Sequence, residues 1–308
     1  MELVQPLVMR RFGQVDLQRA GIEARYPSPG FLSSLPSSLF GLLLGELLSD
    51  RYSYLMDEVR LPDEIDVEEE KRQLLLMEER HSGPEHGPRR AYANSLLSAE
   101  VPQGAHLLDY GCGSGRYKDY YERCGSVTCV DVNLHALLHL RAFFPDREKI
   151  KVIWAPLGFA DLKPGSFDCL MASALIGYVC PSVAERLVDE FAFLLAPRGR
   201  LILALVPALS YSEWPVGRSR LNENPKRPGA FHCKYSRRQL RNLLEKRGLR
   251  TLNAGRHLLK LPRGFVRVST NRLYRHRPMQ VLDRLLNSVV PGLSTWHILA
   301  AEKAATSK

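Results

Sequence analysis

Leu107-Leu108-Asp109-Tyr110-Gly111-Cys112-Gly113-Ser114-Gly115-Arg116 is the stretch that decides how this chain folds. A short apolar run, residues 105–109, leads into three glycines spaced by single residues, and residues 117–123 behind them read as a helix closed by Gly125. Glycines at a strand-to-helix turn permit a tight bend and let a ligand approach the main chain closely. A dinucleotide fingerprint, G-x-G-x-x-G, needs glycine at position 116, where this chain has Arg116. The glycines instead run G-x-G-x-G behind an acid, Asp109, which fits a cofactor with an amino-acid end and no pyrophosphate. Twenty-two residues after Asp109, Asp131 closes the apolar run 126–131. A doubly wound sheet places a carboxylate there to take a ribose diol.

Working outward, strands and helices alternate. Residues 134–144 read as a helix, 151–155 as a third strand and 167–173 as a fourth. Ser182-Val183-Ala184-Glu185 reads as a capping box opening a helix with Val183, Leu187 and Phe191 on one face, which Ala196-Pro197 stops. Residues 200–206 form a nearly all-apolar fifth strand, as expected when both faces are buried. Ser236-Arg237-Arg238-Gln239 is a second capping box, with Leu240, Leu243 and Leu244 behind it and Gly248 as the stop. A sixth strand follows at 249–255, an amphipathic helix at 278–290 and a last strand at 295–302. This alternation implies an α/β, doubly wound, Rossmann-like sheet. Upstream, residues 1–64 are loop-rich, a helix opens at Asp66 and runs to about residue 80, and residues 82–88 are a linker. Residues 89–99 read as a helix leading into the core.

At this point the chain resembles the class I S-adenosylmethionine-dependent methyltransferases, the type 11 group in particular. Residues 107–115 resemble that family's first motif and residues 127–131 its second. Gly165-Ser166-Phe167-Asp168 and the apolar run to Ser173 resemble its fourth strand. Residues 194–203, LLAPRGRLIL, resemble its turn from helix to fifth strand. The resemblance covers roughly residues 89–255, with a weaker echo to 303. It implies a seven-stranded sheet with the last strand antiparallel, an N-terminal mostly helical extension or lid at 1–88, and a methyltransferase domain at 89–308 with a basic insert at 256–293. It implies S-adenosylmethionine as cofactor. Asp109 would help hold its amino end, with Tyr110 and Gly115 in the same motif, and Gly111 and Gly113 would lie against its methionine part. Asp131 would grip the ribose and Val132 would pack on the adenine. Ser173 would line the methyl-transfer cleft. The chain departs from the family after the third strand, where an acid normally accepts the adenine amino group. Here the sequence is Trp154-Ala155-Pro156-Leu157-Gly158, so backbone groups near Leu157 and apolar packing are left to hold adenine.

The composition bounds the partners. With 308 residues, 45% hydrophobic and 25% charged, the chain is an ordinary globular mixture, which excludes disordered, collagenous and coiled-coil classes. Its formal charge is +10 and its pI about 9.4. That charge is concentrated. Residues 216–280 hold eighteen Lys and Arg against two acids, a net +16, and the remainder of the chain is a net −6. Residues 57–79 hold ten acids and could pair with the basic block within the molecule. Residues 31–48 are too polar and too interrupted for a spanning helix; residues 39–48 read as a core or lid helix, with a membrane-surface helix as the alternative. The start shows no signal-peptide pattern. The six cysteines form no C-x-x-C pair, so reduced thiols in a cytoplasmic protein are expected. His232-Cys233 supplies two metal-ligand types without a second pair, so no metal is expected.

Methyl transfer from a sulfonium leaves the protein to position the acceptor and exclude water, and an oxygen acceptor needs a base. Tyr178, His232 and His257 are the candidates near the expected cleft. Basic residues at 256–277 beside an amphipathic helix suit an anionic or amphiphilic acceptor, such as a phospholipid or lipid-linked molecule, with contact at a membrane face. The second choice is nucleic acid, because the basic block is interleaved with Phe231, Tyr235, Phe265 and Tyr274. A non-catalytic partner subunit that keeps the fold for binding is the third. Nothing in the sequence reads on oligomeric state.

Overall fold

The structure, a computed structural model, describes residues 22–25, 91–115, 119–155, 160–205, 221–224, 227–252, 256–259, 275–289 and 294–305. The helix expected from Asp66, the linker at 82–88, the apolar stretch at 31–48 and Leu157 lie outside the described residues. A helical stretch at 91–98 precedes the sheet. The strands are β1 (Ile22–Ala24), β2 (His106–Tyr110), β3 (Ser126–Asp131), β4 (Ile150–Trp154), β5 (Phe167–Ser173), β6 (Leu195–Leu205), β7 (Leu221–Asn224), β8 (Arg227–Cys233), β9 (Leu249–Thr251), β10 (Arg256–Leu259) and β11 (Ser294–Lys303). The helices are α1 (Leu134–Phe143), α2 (Pro181–Leu194), α3 (Arg237–Glu245) and α4 (Arg277–Val289), with a 3-10 helix at Asp119–Arg123.

The strand order is β1-β4-β3-β2-β5-β6-β11-β10, and β9 also pairs with β11. β1 runs parallel to β4, β2 to β5 and β5 to β6. β11 is antiparallel to β6, β9 and β10. This is the doubly wound α/β sheet expected, with its last strand antiparallel. From β2 the chain winds one way to β3 and β4 and the other way to β5 and β6. The carboxyl end of β2 is therefore a topological switch point, where open α/β sheets bind ligands. All seven strands read from the sequence are present, and β1 and β10 extend the edges. Leu107, Leu108, Cys169, Leu170, Met171, Leu201, Ile202 and Leu203 are wholly buried. Their near-continuous runs reflect strands covered on both faces.

The chain divides into two packing units. One comprises residues 1–76, 112–116 and 128–162. In it β1 adds to the edge of β4, with Ile22 opposite Val152, and the ladder continues past its end through Arg25 N–H to Trp154 O at 2.9 Å. Glu23 is held by Lys151 Nζ and by Arg25 Nε, each at 2.6 Å. The other unit comprises residues 77–111, 117–127 and 163–308. In it Arg247, just beyond α3, grips Asp189 of α2 at 2.6 Å, and Lys303 Nζ donates to Leu195 O at 2.6 Å.

Several element ends differ from the sequence reading. The capping box expected at Ser182–Glu185 does not form. α2 opens at Pro181, with Cys180 as N-cap and no side-chain cap bond. Proline suits that first helical position because its φ is preset and it has no N–H to satisfy, so Ser182 falls inside the first turn. The box at Ser236 does form, with Gln239 N–H to Ser236 Oγ at 3.2 Å and Ser236 N–H to Gln239 Oε1 at 2.8 Å. Within the helix expected at 117–123, Asp119–Arg123 form a 3-10 helix. The fifth strand starts at Leu195 rather than at 200. The sixth is the short β9, Leu249–Thr251, and β10 after it pairs with another part of β11.

Candidate functional site

The glycine turn after β2 is organised around Asp131. Gly113 N–H donates to Asp131 Oδ2 at 2.7 Å and Asn133 N–H donates to Asp131 Oδ1 at 2.8 Å. Cys112 N–H reaches Val130 O at 3.1 Å. Gly113 has φ +57, a left-handed conformation that suits glycine, and an added Cβ would meet nothing within 4 Å. Gly115, at φ +69, is constrained differently, since a Cβ there would come within 3.1 Å of Leu140 and 3.2 Å of Phe144. Asp131 is half-buried. Beside it Val132 is 37% exposed, and its carbonyl is fixed by Trp154 Nε1 at 3.0 Å. Ala155 N–H donates to Asp131 O at 2.9 Å.

Asp109 is fully buried near the carboxyl end of β2. Tyr121 Oη donates to Asp109 Oδ2 at 2.5 Å, and Tyr120 Oη lies 3.5 Å from the same oxygen. The two tyrosine rings are buried edge to face, with centroids 5.3 Å apart. Sequence reasoning did not single them out. Tyr110 is also buried. Its hydroxyl reaches Glu190 Oε1 at 3.4 Å and its ring packs on Phe191 at 5.3 Å, so the side chain serves the packing of α2. Gly111 follows β2 directly, and a Cβ there would come within 3.2 Å of Leu175.

Ser173 ends β5 half-buried, and Ala174 beyond it adopts φ +63. A left-handed alanine is uncommon and marks a position that its surroundings hold in place. The chain then turns, with Tyr178 N–H donating to Leu175 O at 2.9 Å. β8 is fastened to this loop. Cys233 N–H donates to Gly177 O at 2.7 Å, and Cys233 Sγ donates to Val179 O at 3.0 Å. The fastening brings the chain at His232 to the loop that carries Tyr178. Tyr178 is 54% exposed. His232 pairs across the hairpin with Asn222, and its side chain lies outside the described residues. His257 sits on β10 opposite His297. A cavity of about 430 Å³ adjoins Cys233 and is lined by Lys234, Tyr235, Asn242, Lys246 and Arg247. Burial lowers the pKa of the Lys234 ammonium and pushes the Tyr235 hydroxyl up. Burial likewise raises the Cys169 thiol, and none of the six cysteines is in a disulfide. Among the described residues no cluster of His, Cys, Asp and Glu could hold a metal ion.

A glycine turn at the switch point and a carboxylate closing the neighbouring strand, on a sheet of this order, define a class I S-adenosylmethionine-dependent methyltransferase. A family model described as a methyltransferase domain matches residues 85–254, more than half of the chain, and the chain belongs to that family. Its cofactor is S-adenosylmethionine. The residues fit that group: Gly113 faces open space, the Asp131 carboxylate is held beside it by Gly113 N–H, and an apolar side chain, Val132, is exposed next to it. Ribosomal RNA small subunit methyltransferase C of Chromohalobacter salexigens is 31% identical over 120 residues. That match covers 37% of this chain and only 35% of the relative's length. A solved S-adenosylmethionine-dependent methyltransferase from Mesorhizobium loti is 20% identical, with a TM-score of 0.50, covering 68% of this chain and 96% of that one. The cyclase SpnF is 18% identical, also at 0.50, covering 70% of this chain and 82% of its own. These two likenesses show the fold, and a cyclase among them illustrates that a fold hosts more than one chemistry.

Proposed function

We propose that the chain methylates an anionic, amphiphilic acceptor, such as a phospholipid or a lipid-linked small molecule. When bound, the cofactor supplies a methyl group on a sulfonium, open to in-line displacement by an acceptor lone pair. Asp131, oriented by two backbone N–H groups, accepts hydrogen bonds from the ribose diol, and Val132 covers the adenine with backbone groups near Leu157. Gly111 and Gly113 let the main chain lie against the methionine part, and Asp109 with the main chain of Tyr110 serves its amino end. Gly115 closes the turn on α1. Ser173 lines the acceptor side. Tyr178 and His232 contact the acceptor, and His232 takes its proton where the acceptor atom is an oxygen.

The observation that carries the acceptor class is charge. The +16 block begins after β6, and the β7–β8 hairpin within it is fastened to the loop after β5 by Cys233. The test incubates the protein and methyl-labelled cofactor with lipid, RNA and small-metabolite fractions of a cell extract. Label is expected in the lipid fraction. A second reading, an RNA acceptor, is favoured by the 120-residue likeness to a ribosomal RNA methyltransferase. Label confined to RNA would establish that reading in place of the first.

A further inference from the structure

Helix α4 presents aliphatic side chains outward. At 3.6 residues per turn, Val281, Leu282 and Leu285 share one face. They are 53%, 41% and 62% exposed. The buried side of the same helix carries Met279 and a carboxylate, Asp283, which is fully buried and engaged in interactions of its own. An amphipathic helix that served only the core would turn its aliphatic residues in and its acid out. α4 instead exposes these three aliphatic side chains and buries Asp283 beside Met279. Its placement is not loose, because it packs against β10 and Tyr92 Oη donates to Gln280 O at 3.4 Å.

The charges point the same way. Arg275, His276 and Arg277 are exposed at the helix start, with no acid in the first turn. Cations at a helix N-terminus oppose its dipole, so helix stability does not account for them. Residues 256–282 hold seven Lys and Arg and no acid. No helix among the described residues is long and apolar enough to cross a membrane. Exposed aliphatic side chains and a cationic end on one helix match a surface that is anionic outside and apolar just beneath. RNA would use the cations but leave the aliphatic face uncovered.

We infer that α4 is a docking surface for an anionic lipid bilayer, which Val281, Leu282 and Leu285 enter while Arg275 and Arg277 meet the headgroups. The inference goes beyond the acceptor class and needs no turnover to be tested. Co-sedimentation of the full chain is measured with vesicles of phosphatidylcholine alone and of phosphatidylcholine with phosphatidylglycerol. Binding is expected only with the anionic lipid. Val281→Ser with Leu285→Ser should weaken it at least about tenfold, and so should Arg275→Glu with Arg277→Glu. These positions are exposed, and unchanged melting together with retained S-adenosylhomocysteine binding confirms that each variant is folded. Equal binding to both vesicles, binding to neither, or wild-type binding by the serine variant overturns the inference. So does sedimentation showing a dimer that the serine variant breaks while vesicles are ignored. If vesicles bind but labelled methyl appears only in RNA, the docking surface stands and the lipid acceptor falls.

Discussion

Asp131 does two jobs through one carboxylate. It fixes the turn by taking Gly113 N–H and Asn133 N–H, and in the proposed function it also takes the ribose diol. Asp131→Asn replaces one acceptor with a donor, so in either amide orientation one backbone N–H loses its partner. Hydrogen bonds to charged groups are worth about 1.5–3 kcal/mol, so affinity for S-adenosylhomocysteine should fall about 10- to 100-fold by calorimetry. An unchanged affinity would remove Asp131 from the cofactor site. Asp109 depends on a different neighbour. Tyr121→Phe deletes the 2.5 Å donor to its buried carboxylate and should cost about 1.5–3 kcal/mol of stability, read as a lower denaturation midpoint. Both acids were legible in the sequence because the spacing of strand ends announces them. Tyr120 and Tyr121 were not. They sit in a stretch that reads as ordinary helix, and only the 3-10 turn brings both hydroxyls to Asp109.

Among the elements, two stretches with the same capping pattern had different fates, and the difference is local. At Ser236 nothing precedes the box to compete with it, and both reciprocal bonds form. At Ser182 the preceding Pro181 claims the first helical position and shifts the start by two residues. Ser236→Ala should therefore lower stability by about 1 kcal/mol, while Ser182→Ala should leave the start of α2 unchanged in thermal melts. β1 was illegible for another reason: three residues in a loop-rich region are too few to show a period. Its hold on β4 includes Glu23, whose pKa burial tends to raise but which hydrogen bonds from Lys151 and Arg25 bring below the usual value. A lowered carboxylate pKa gives stability that is present above the unfolded value and lost as pH falls through the folded one. Glu23 is partly exposed, so the effect is small and local. Amide exchange at Ile22–Ala24 should speed up on acidification into the carboxylate range. Glu23→Gln should remove that pH dependence while leaving the neutral-pH exchange of β5 and β6 unchanged.

At the scale of the whole molecule, the net +10 conceals a contrast between the cofactor core and the acceptor segments. Residues 105–206 carry eleven Lys and Arg against eleven acids, whereas residues 216–280 carry the +16. Salt should therefore act on the two substrates unequally. The Debye length is about 10 Å at about 0.1 M salt, so added salt weakens attraction that depends on many spread charges more than contacts made by fixed hydrogen bonds. With cofactor saturating, KM for an anionic acceptor should rise with ionic strength. The affinity for S-adenosylhomocysteine, held by Asp131 and main-chain groups, should stay nearly constant. The steepness also separates the acceptor classes. A single-stranded RNA loses log affinity against log salt with a slope of about 0.7 for each phosphate contacted, so a track of several phosphates gives a slope of several. An amphiphile with one anionic headgroup gives a slope near or below about 1, because its remaining affinity is apolar and insensitive to salt. A steep slope in acceptor KM would overturn the lipid-linked acceptor. Equal salt dependence for acceptor and cofactor would show that the basic block has no part in acceptor binding.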